Sequence, residues 1–323
     1  MSERAVGRPL AVSTPAQSAS LGALLRRLAL SACLSTLALI MLGSFVRASG
    51  NGLGCPDWPL CYGQAVPPLR LSAWIEFSHR LFGGLVALQI LALAAVSGRL
   101  RALRPATWRL SLAAVVLLVL QVGLGGLHVL NELPRWTGLI HTGVALALLG
   151  LLAALVALTG PANEGSIEAP PGERGGLARL AVGSAGATYL LLLSGSLVTR
   201  TGSSLACPGF PACGLTQVSA ALRPFVEVQM THRLGALPVA GLILAVAWSL
   251  WRSDGARPAG RLLAVSLGVL LALQIGLGAA NVLLGLPIWS RVLHLGTGAS
   301  LWALLVFVAV RLRPPAEKSP ALA

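Results

Sequence analysis

Eight apolar runs, each close to the length that crosses a bilayer, fall along this chain in an order that repeats once. They lie at about residues 28–46, 74–97, 109–130, 137–159, 179–198, 225–251, 261–284 and 290–310. Of 323 residues only 11% are charged and 55% are hydrophobic, too little polar material to cover a soluble surface. In hydrocarbon the backbone must satisfy its own hydrogen bonds, so each run predicts a helix. The expected fold is an all-α integral membrane protein, its eight transmembrane helices forming two pseudo-symmetric four-helix bundles.

The duplication is explicit. Gln121–His141 reads QVGLGGLHVLNELPRWTGLIH, and Gln274–His294 reads QIGLGAANVLLGLPIWSRVLH. The loops after the first helix of each half also match, GSFVRASGNGLGCPDWPLC from Gly43 and GSLVTRTGSSLACPGFPAC from Gly195. An even number of spans per repeat gives both halves one orientation, related by an approximate two-fold axis along the membrane normal. The expected organisation is a tail over 1–27, an N-terminal half over 28–159, a linker over 160–178, a C-terminal half over 179–311 and a tail over 312–323. The linker is rich in Pro, Gly and Glu between Gly160 and Gly176 and reads as flexible. Arg4 and Arg8 ahead of an apolar stretch imitate a signal peptide. The first run has an internal counterpart near 180–198, however, which favours a retained helix.

The formal net charge of +14 raises nucleic acid as a partner, but Lys318 is the sole lysine and no basic stretch carries interleaved aromatics. Topology accounts for the charge better. Sixteen of the 24 basic residues fall in one set of loops, which places both termini in the cytoplasm and the cysteine loops outside.

Chemistry concentrates in four histidines. His79 and His141 are separated by the same 62 residues as His232 and His294, and each lies in the first turns of a helix entering from the outer side. All four therefore reach a similar shallow depth. A lone histidine in such a run is ordinarily a hydrogen-bonded core residue. Two matched pairs instead suit axial ligation of haem iron between bundle helices, whereas zinc lacks further ligands at that depth. Glu76 precedes His79 by one turn and shares its face, but its counterpart is Gln229. A carboxylate at the edge of the apolar region is costly, which marks it for function; an ion pair with Arg80 is the plainer reading. The asymmetry suggests one reactive site and one that only holds a cofactor. Arg80 and Arg233 suit either haem propionates or interfacial anchoring. His128, aligned with Asn281, reads as a hydrogen-bonding residue, and Gln121 and Gln274 as interhelical amides. Cys55/Cys61 and Cys207/Cys213 share the form Cys-Pro-x-aromatic-Pro-x-Cys and read as outer-side disulfides, structural by default with a redox role open.

These residues give the chain a resemblance to the haem A synthase family, which acts in cytochrome oxidase assembly, over about Leu28 to Arg311. It rests on Glu76-x-x-His79-Arg80, the Gly-rich run into Leu133-Pro134, His141, Thr231-His232-Arg233, His294 and both cysteine pairs. The resemblance implies an oxidoreductase of the bacterial cell membrane that oxidises the C8 methyl of haem O to a formyl group by successive hydroxylations. It implies haem b on His232 and His294, substrate haem between His79 and His141, and Glu76 as the essential carboxylate. The implied partners are haem O, a haem O synthase, an electron donor and membrane lipid, with a homo-oligomer left open. Competing readings are a bis-histidine dihaem electron carrier and a haem transporter or chaperone.

Overall fold

The computed structural model of the chain describes residues 15–160, 171–253 and 258–312. Its helices are α1 (Pro15–Ala48), α2 (Leu71–Arg99), α3 (Pro105–Leu130), α4 (Arg135–Thr159), α5 (Pro171–Thr201), α6 (Arg223–Ser253), α7 (Pro258–Leu283) and α8 (Ile288–Arg311). All eight are long and apolar enough to cross a membrane, and the chain is a multi-pass membrane protein.

Six helices end within a turn of their expected bounds; α1 and α5 start earlier. The boundary expected at residue 27 falls inside α1, where Ala- and Leu-rich sequence carries the helix past the hydropathic edge and Leu25 is fully buried. Likewise α5 begins at Pro171, inside the expected linker. The flexible part proposed for that linker lies largely outside the described residues, as does the tail beyond Leu312.

The helices of each half pack in sequence and close on themselves, α1 on α4 and α5 on α8. The N-terminal half buries Leu25, Val86, Ile90, Leu93, Leu118 and Leu152, the C-terminal half Ile243, Val246, Leu250, Leu267, Leu301 and Leu305. A third core around Ile40, Leu146, Leu149, Leu192 and Ala299 fills the seam, where α1 and α4 meet α8 and α4 meets α5.

Two turns set where α4 and α8 begin. Glu132 and Leu133 both take positive φ, and Gly285 and Leu286 do the same in the other half. The Leu133 N–H then donates to the His128 carbonyl and the Leu286 N–H to that of Asn281, each at 2.8 Å. Glycine accepts the left-handed conformation freely, whereas a side-chain-bearing residue does so at about 1–2 kcal/mol. Pro134 and Pro287 follow at the N-caps, where a missing N–H costs nothing. The starting points of α4 and α8, and so the heights of His141 and His294, are matched.

Across the seam the Trp302 indole donates to the Leu146 carbonyl at 2.8 Å, and the Tyr189 hydroxyl to that of Gly143 at 3.0 Å. A Cβ on Gly150 would lie 2.7 Å from the Trp302 ring. Gly150→Ala should therefore destabilise the seam by about 1–3 kcal/mol, read as a lower thermal midpoint in detergent. A neutral result would show that the indole moves aside freely.

Candidate functional site

Each histidine leans on a glycine of the neighbouring helix. A Cβ on Gly43 of α1 would meet His79 Cε1 at 2.9 Å, and one on Gly195 of α5 would meet His232 Cε1 at 2.9 Å. On the other side, Gly125 of α3 faces His141 Cε1 at 3.3 Å and Gly278 of α7 faces His294 Cε1 at 3.2 Å. All four seats are duplicated, so both halves hold their imidazoles in one way. Without a Cβ the helix backbone approaches the ring edge closely, and the ring has little room to turn.

The ring nitrogens then distinguish the histidines. The Gln121 amide nitrogen lies 3.1 Å from His141 Nε2, and that of Gln274 lies 3.5 Å from His294 Nε2. An amide N–H can only donate, so the Nε2 of each of these two rings is the unprotonated nitrogen. These glutamines do bridge helices, as expected, and their partner is the histidine itself. The buried Nδ1 atoms of His79, His141 and His294 make no hydrogen bond. His232 differs. The Ser194 hydroxyl donates to the Leu191 carbonyl at 2.7 Å and lies 2.8 Å from His232 Nδ1. With its proton committed, it accepts from the ring N–H and leaves Nε2 with the free lone pair. The repeat places Leu42 opposite Ser194, so His79 has no such partner.

The expected disulfides Cys55–Cys61 and Cys207–Cys213 are both formed. Each loop is tied to its histidine helix by the two polar residues flanking the histidine. Glu76, only 4% exposed, accepts from the Cys55 N–H at 2.8 Å and pairs with Arg80. Arg80 gives its terminal nitrogens to the carbonyls of Cys55, Asp57 and Leu60 at 2.7–3.0 Å. In the other half Gln229 accepts from the Cys207 N–H at 2.6 Å and donates to the Ser204 carbonyl. Arg233 donates to the carbonyls of Cys207, Gly209, Pro211 and Ala212. The ion pair read as the plainer role of Glu76 is thus present, and both arginines are loop clamps. Trp58, at the tip of the first loop, lies against Gly126 of α3, beside the seat of His141. The loop therefore spans from α2 to α3 over the first histidine pair.

His128 is a hydrogen-bonding residue. Its Nδ1 lies 2.7 Å from the Thr137 hydroxyl, whose own proton goes to the Pro134 carbonyl. Its Nε2 lies 3.4 Å from Arg200 Nη1, and its ring stacks on His141 with centroids 6.4 Å apart. At the equivalent place in the second half, the Ser290 hydroxyl donates to the Asn281 side-chain oxygen at 2.7 Å.

Sequence comparison accounts for this architecture as a whole. A family described as cytochrome oxidase assembly protein matches residues 26–75 and 69–306, a span that takes in both cysteine loops and all four seated histidines. The chain belongs to that family. Among curated relatives, the haem A synthase of Symbiobacterium thermophilum is 29% identical over 307 residues, 92% of this chain and 98% of the relative. That of Geobacillus kaustophilus is 30% identical over 80% of this chain and 83% of its own length. For Alkalihalophilus pseudofirmus the figures are 32%, 68% and 74%.

The donor chemistry of the two histidine pairs, imidazole alone, is of a kind that haem iron accepts. Each pair has rings braced on glycine, buried, and free of carboxylate or thiolate co-ligands among the described residues. Ser194 and the glycine seats were not singled out from sequence, although a position-by-position comparison of the repeats contains both.

The exposed Asp57 carboxylate ties the first loop together, accepting from the Gly63 N–H at 2.7 Å and the Tyr62 N–H at 2.6 Å. The Gly63 bond foremost, then the Tyr62 bond and the charge of Arg80, hold its carboxyl below the usual carboxylate range. A depressed pKa means the stabilisation is present above the unfolded value and is lost as pH falls through the folded one. Amide exchange at Tyr62 and Gly63 should thus stay protected from neutral pH through the ordinary aspartate range and rise only below it. In Asp57→Asn the protection should be weak and independent of pH.

Proposed function

We propose that this chain is a haem A synthase, an oxidoreductase that converts haem O to haem A by oxidising the C8 methyl to a formyl group through successive hydroxylations. The observation that carries this reading is a pair of identically seated histidine sites of which only one has a carboxylate on its histidine helix facing the loop, Glu76 against Gln229. The family membership and the names of the curated relatives support it.

In this reading His232 and His294 hold haem b, and His79 and His141 bracket haem O. Bound in the C-terminal half, haem b would supply one-electron redox chemistry. Ser194 supports the division of labour, because a ligand whose second nitrogen is anchored is held in one tautomer and orientation. The unanchored Nδ1 of His79 suits a substrate that must enter and leave. Glu76 is held by the Cys55 N–H and by Arg80, so its charge is fixed in place at the loop–helix junction. From there it stabilises positive charge developing at the oxidised carbon or accepts its proton. Loop clamping is the role the hydrogen bonds of Arg80 and Arg233 display; contact with haem propionates stays part of the proposal for both. The disulfides favour an outer-side location of these loops in a bacterial cell membrane, with cytoplasmic termini. A haem O synthase and an electron donor would be the working partners.

The test is co-expression with a haem O synthase followed by extraction and chromatography of the haems. Haem A should appear; haem b with unmodified haem O alone, in a preparation supplied with electrons, would sink the assignment. Glu76→Gln reproduces the residue that the other half uses to hold its loop, so the loop and the haem b spectrum should persist. Turnover should fall by about 10²–10⁴-fold. Full activity in that variant would leave Glu76 as a loop anchor only. His232→Ala should lose the haem b spectrum.

A further inference from the structure

Three arginines converge on the seam at the cysteine-loop end: Arg47 in the last turn of α1, Arg200 in the last turn of α5 and Arg291 in the first turn of α8. Arg47 lies within electrostatic reach of both others, and none of the three forms an ion pair with a described carboxylate. Arg200 Nε is buried without a hydrogen-bond partner. Guanidinium groups stay charged at any accessible pH, so burying several together is costly until an anion joins them. The terminal N–H groups of Arg80 are all engaged by loop carbonyls and Glu76, and most of those of Arg233 by loop carbonyls, so both are less available to that anion than these three.

The placement of two of the three follows the repeat. Arg291 precedes His294 by one turn on the same face of α8. Its equivalent in the first half is Gly138, one turn before His141. That position is filled from across the seam. A Cβ on Gly138 would lie 2.3 Å from Arg200 Cζ, and Arg200 donates to the Gly138 carbonyl at 3.3 Å while His128 holds its other terminal nitrogen. A guanidinium therefore sits one turn outward of the second histidine in both halves, supplied by α8 itself in one and borrowed from α5 in the other. Arg291 keeps a bond from Nη1 to the Ala48 carbonyl, which ties Arg47's helix to the same cluster.

We infer that Arg200 and Arg291, flanked by Arg47, bind the carboxylates of the macrocycles held by the two histidine pairs, with Arg200 serving the N-terminal pair from the C-terminal half. This rests on the haem reading above. The planar fork of arginine matches a carboxylate in two parallel bonds. The borrowed arginine makes the N-terminal site incomplete without the other half, and it explains why position 138 is glycine where the repeat has arginine.

The test is titration of the purified full-length protein in detergent with ferric protoporphyrin IX and, separately, its dimethyl ester, read by the bis-imidazole absorption bands. The wild type should bind the diacid on the order of tenfold to a hundredfold more tightly than the diester. Arg200→Gln keeps amide donors toward Gly138 and His128, and it should remove most of that preference while leaving diester affinity unchanged. Gly138→Ala, which takes the guanidinium's place without touching the arginine, should do the same. Arg291→Gln should release the resident haem more readily. Equal affinity for diacid and diester in the wild type, or equal weakening of both in Arg200→Gln, would overturn the inference. So would an anionic phospholipid that co-purifies with the wild type and is lost from Arg200→Gln while haem binding is unaffected. Binding that shows bis-imidazole bands without discrimination would overturn only this inference. Failure of both probes to give such bands would overturn the histidine-pair reading with it.

Discussion

Four imidazoles can sit in the apolar interior of this protein because four glycines give up their side chains to them. Gly43, Gly125, Gly195 and Gly278 let the neighbouring helix backbone approach ring edges to distances that leave a Cβ only 2.9–3.3 Å. The rest of the architecture serves that contact. Matched turns before α4 and α8 set the height of His141 and His294, and the disulfide loops lock the helices bearing His79 and His232 from the loop end. Helix packing within each half keeps glycine and histidine opposite one another. A membrane interior offers no water to a misplaced ring nitrogen, so the seats must be built into the bundle.

On this symmetric frame the differences become informative, because the frame predicts what each residue would otherwise be. Ser194 stands where Leu42 does and anchors one histidine of the four through its second nitrogen. Glu76 stands where Gln229 does; both hold a loop N–H, but only Glu76 adds a negative charge, which Arg80 partners. Gly138 stands where Arg291 does and makes room for Arg200 from the other half. Each departure is a single side chain, and each changes the electrostatics beside a histidine without altering its seat. Duplication followed by specialisation of this kind gives two histidine pairs seated alike but with different polar groups beside them.

Much of this was legible in the chain. The eight helices follow from apolar runs, and the histidine pairs follow from spacing that repeats. The start of α1 was not, since residues 15–27 mix Arg26 and Arg27 with Ala and Leu; hydropathy falls there while helix propensity does not. For Arg80 and Arg233 the sequence left haem propionates and interfacial anchoring both open, and neither reading includes the loop carbonyls that they hold. Helical spacing gives the face of a side chain, but it says nothing about which loop folds back over that face. The seam was harder still. Gly138 against Arg291 looks like ordinary divergence in an alignment, and its meaning comes only from Arg200, which sits in another half and another register.

The central claim is that each half clamps one haem between its own two histidines, permanently in the C-terminal half and as substrate in the N-terminal half. An experimental density map of the protein purified with its resident haem, compared with one prepared with added haem O, tests it most directly. The account predicts one planar group between His232 and His294 in the first map and a second between His79 and His141 in the other. A haem bridging histidines of different halves, or a resident haem on His79 and His141 with the C-terminal pair empty, would contradict it.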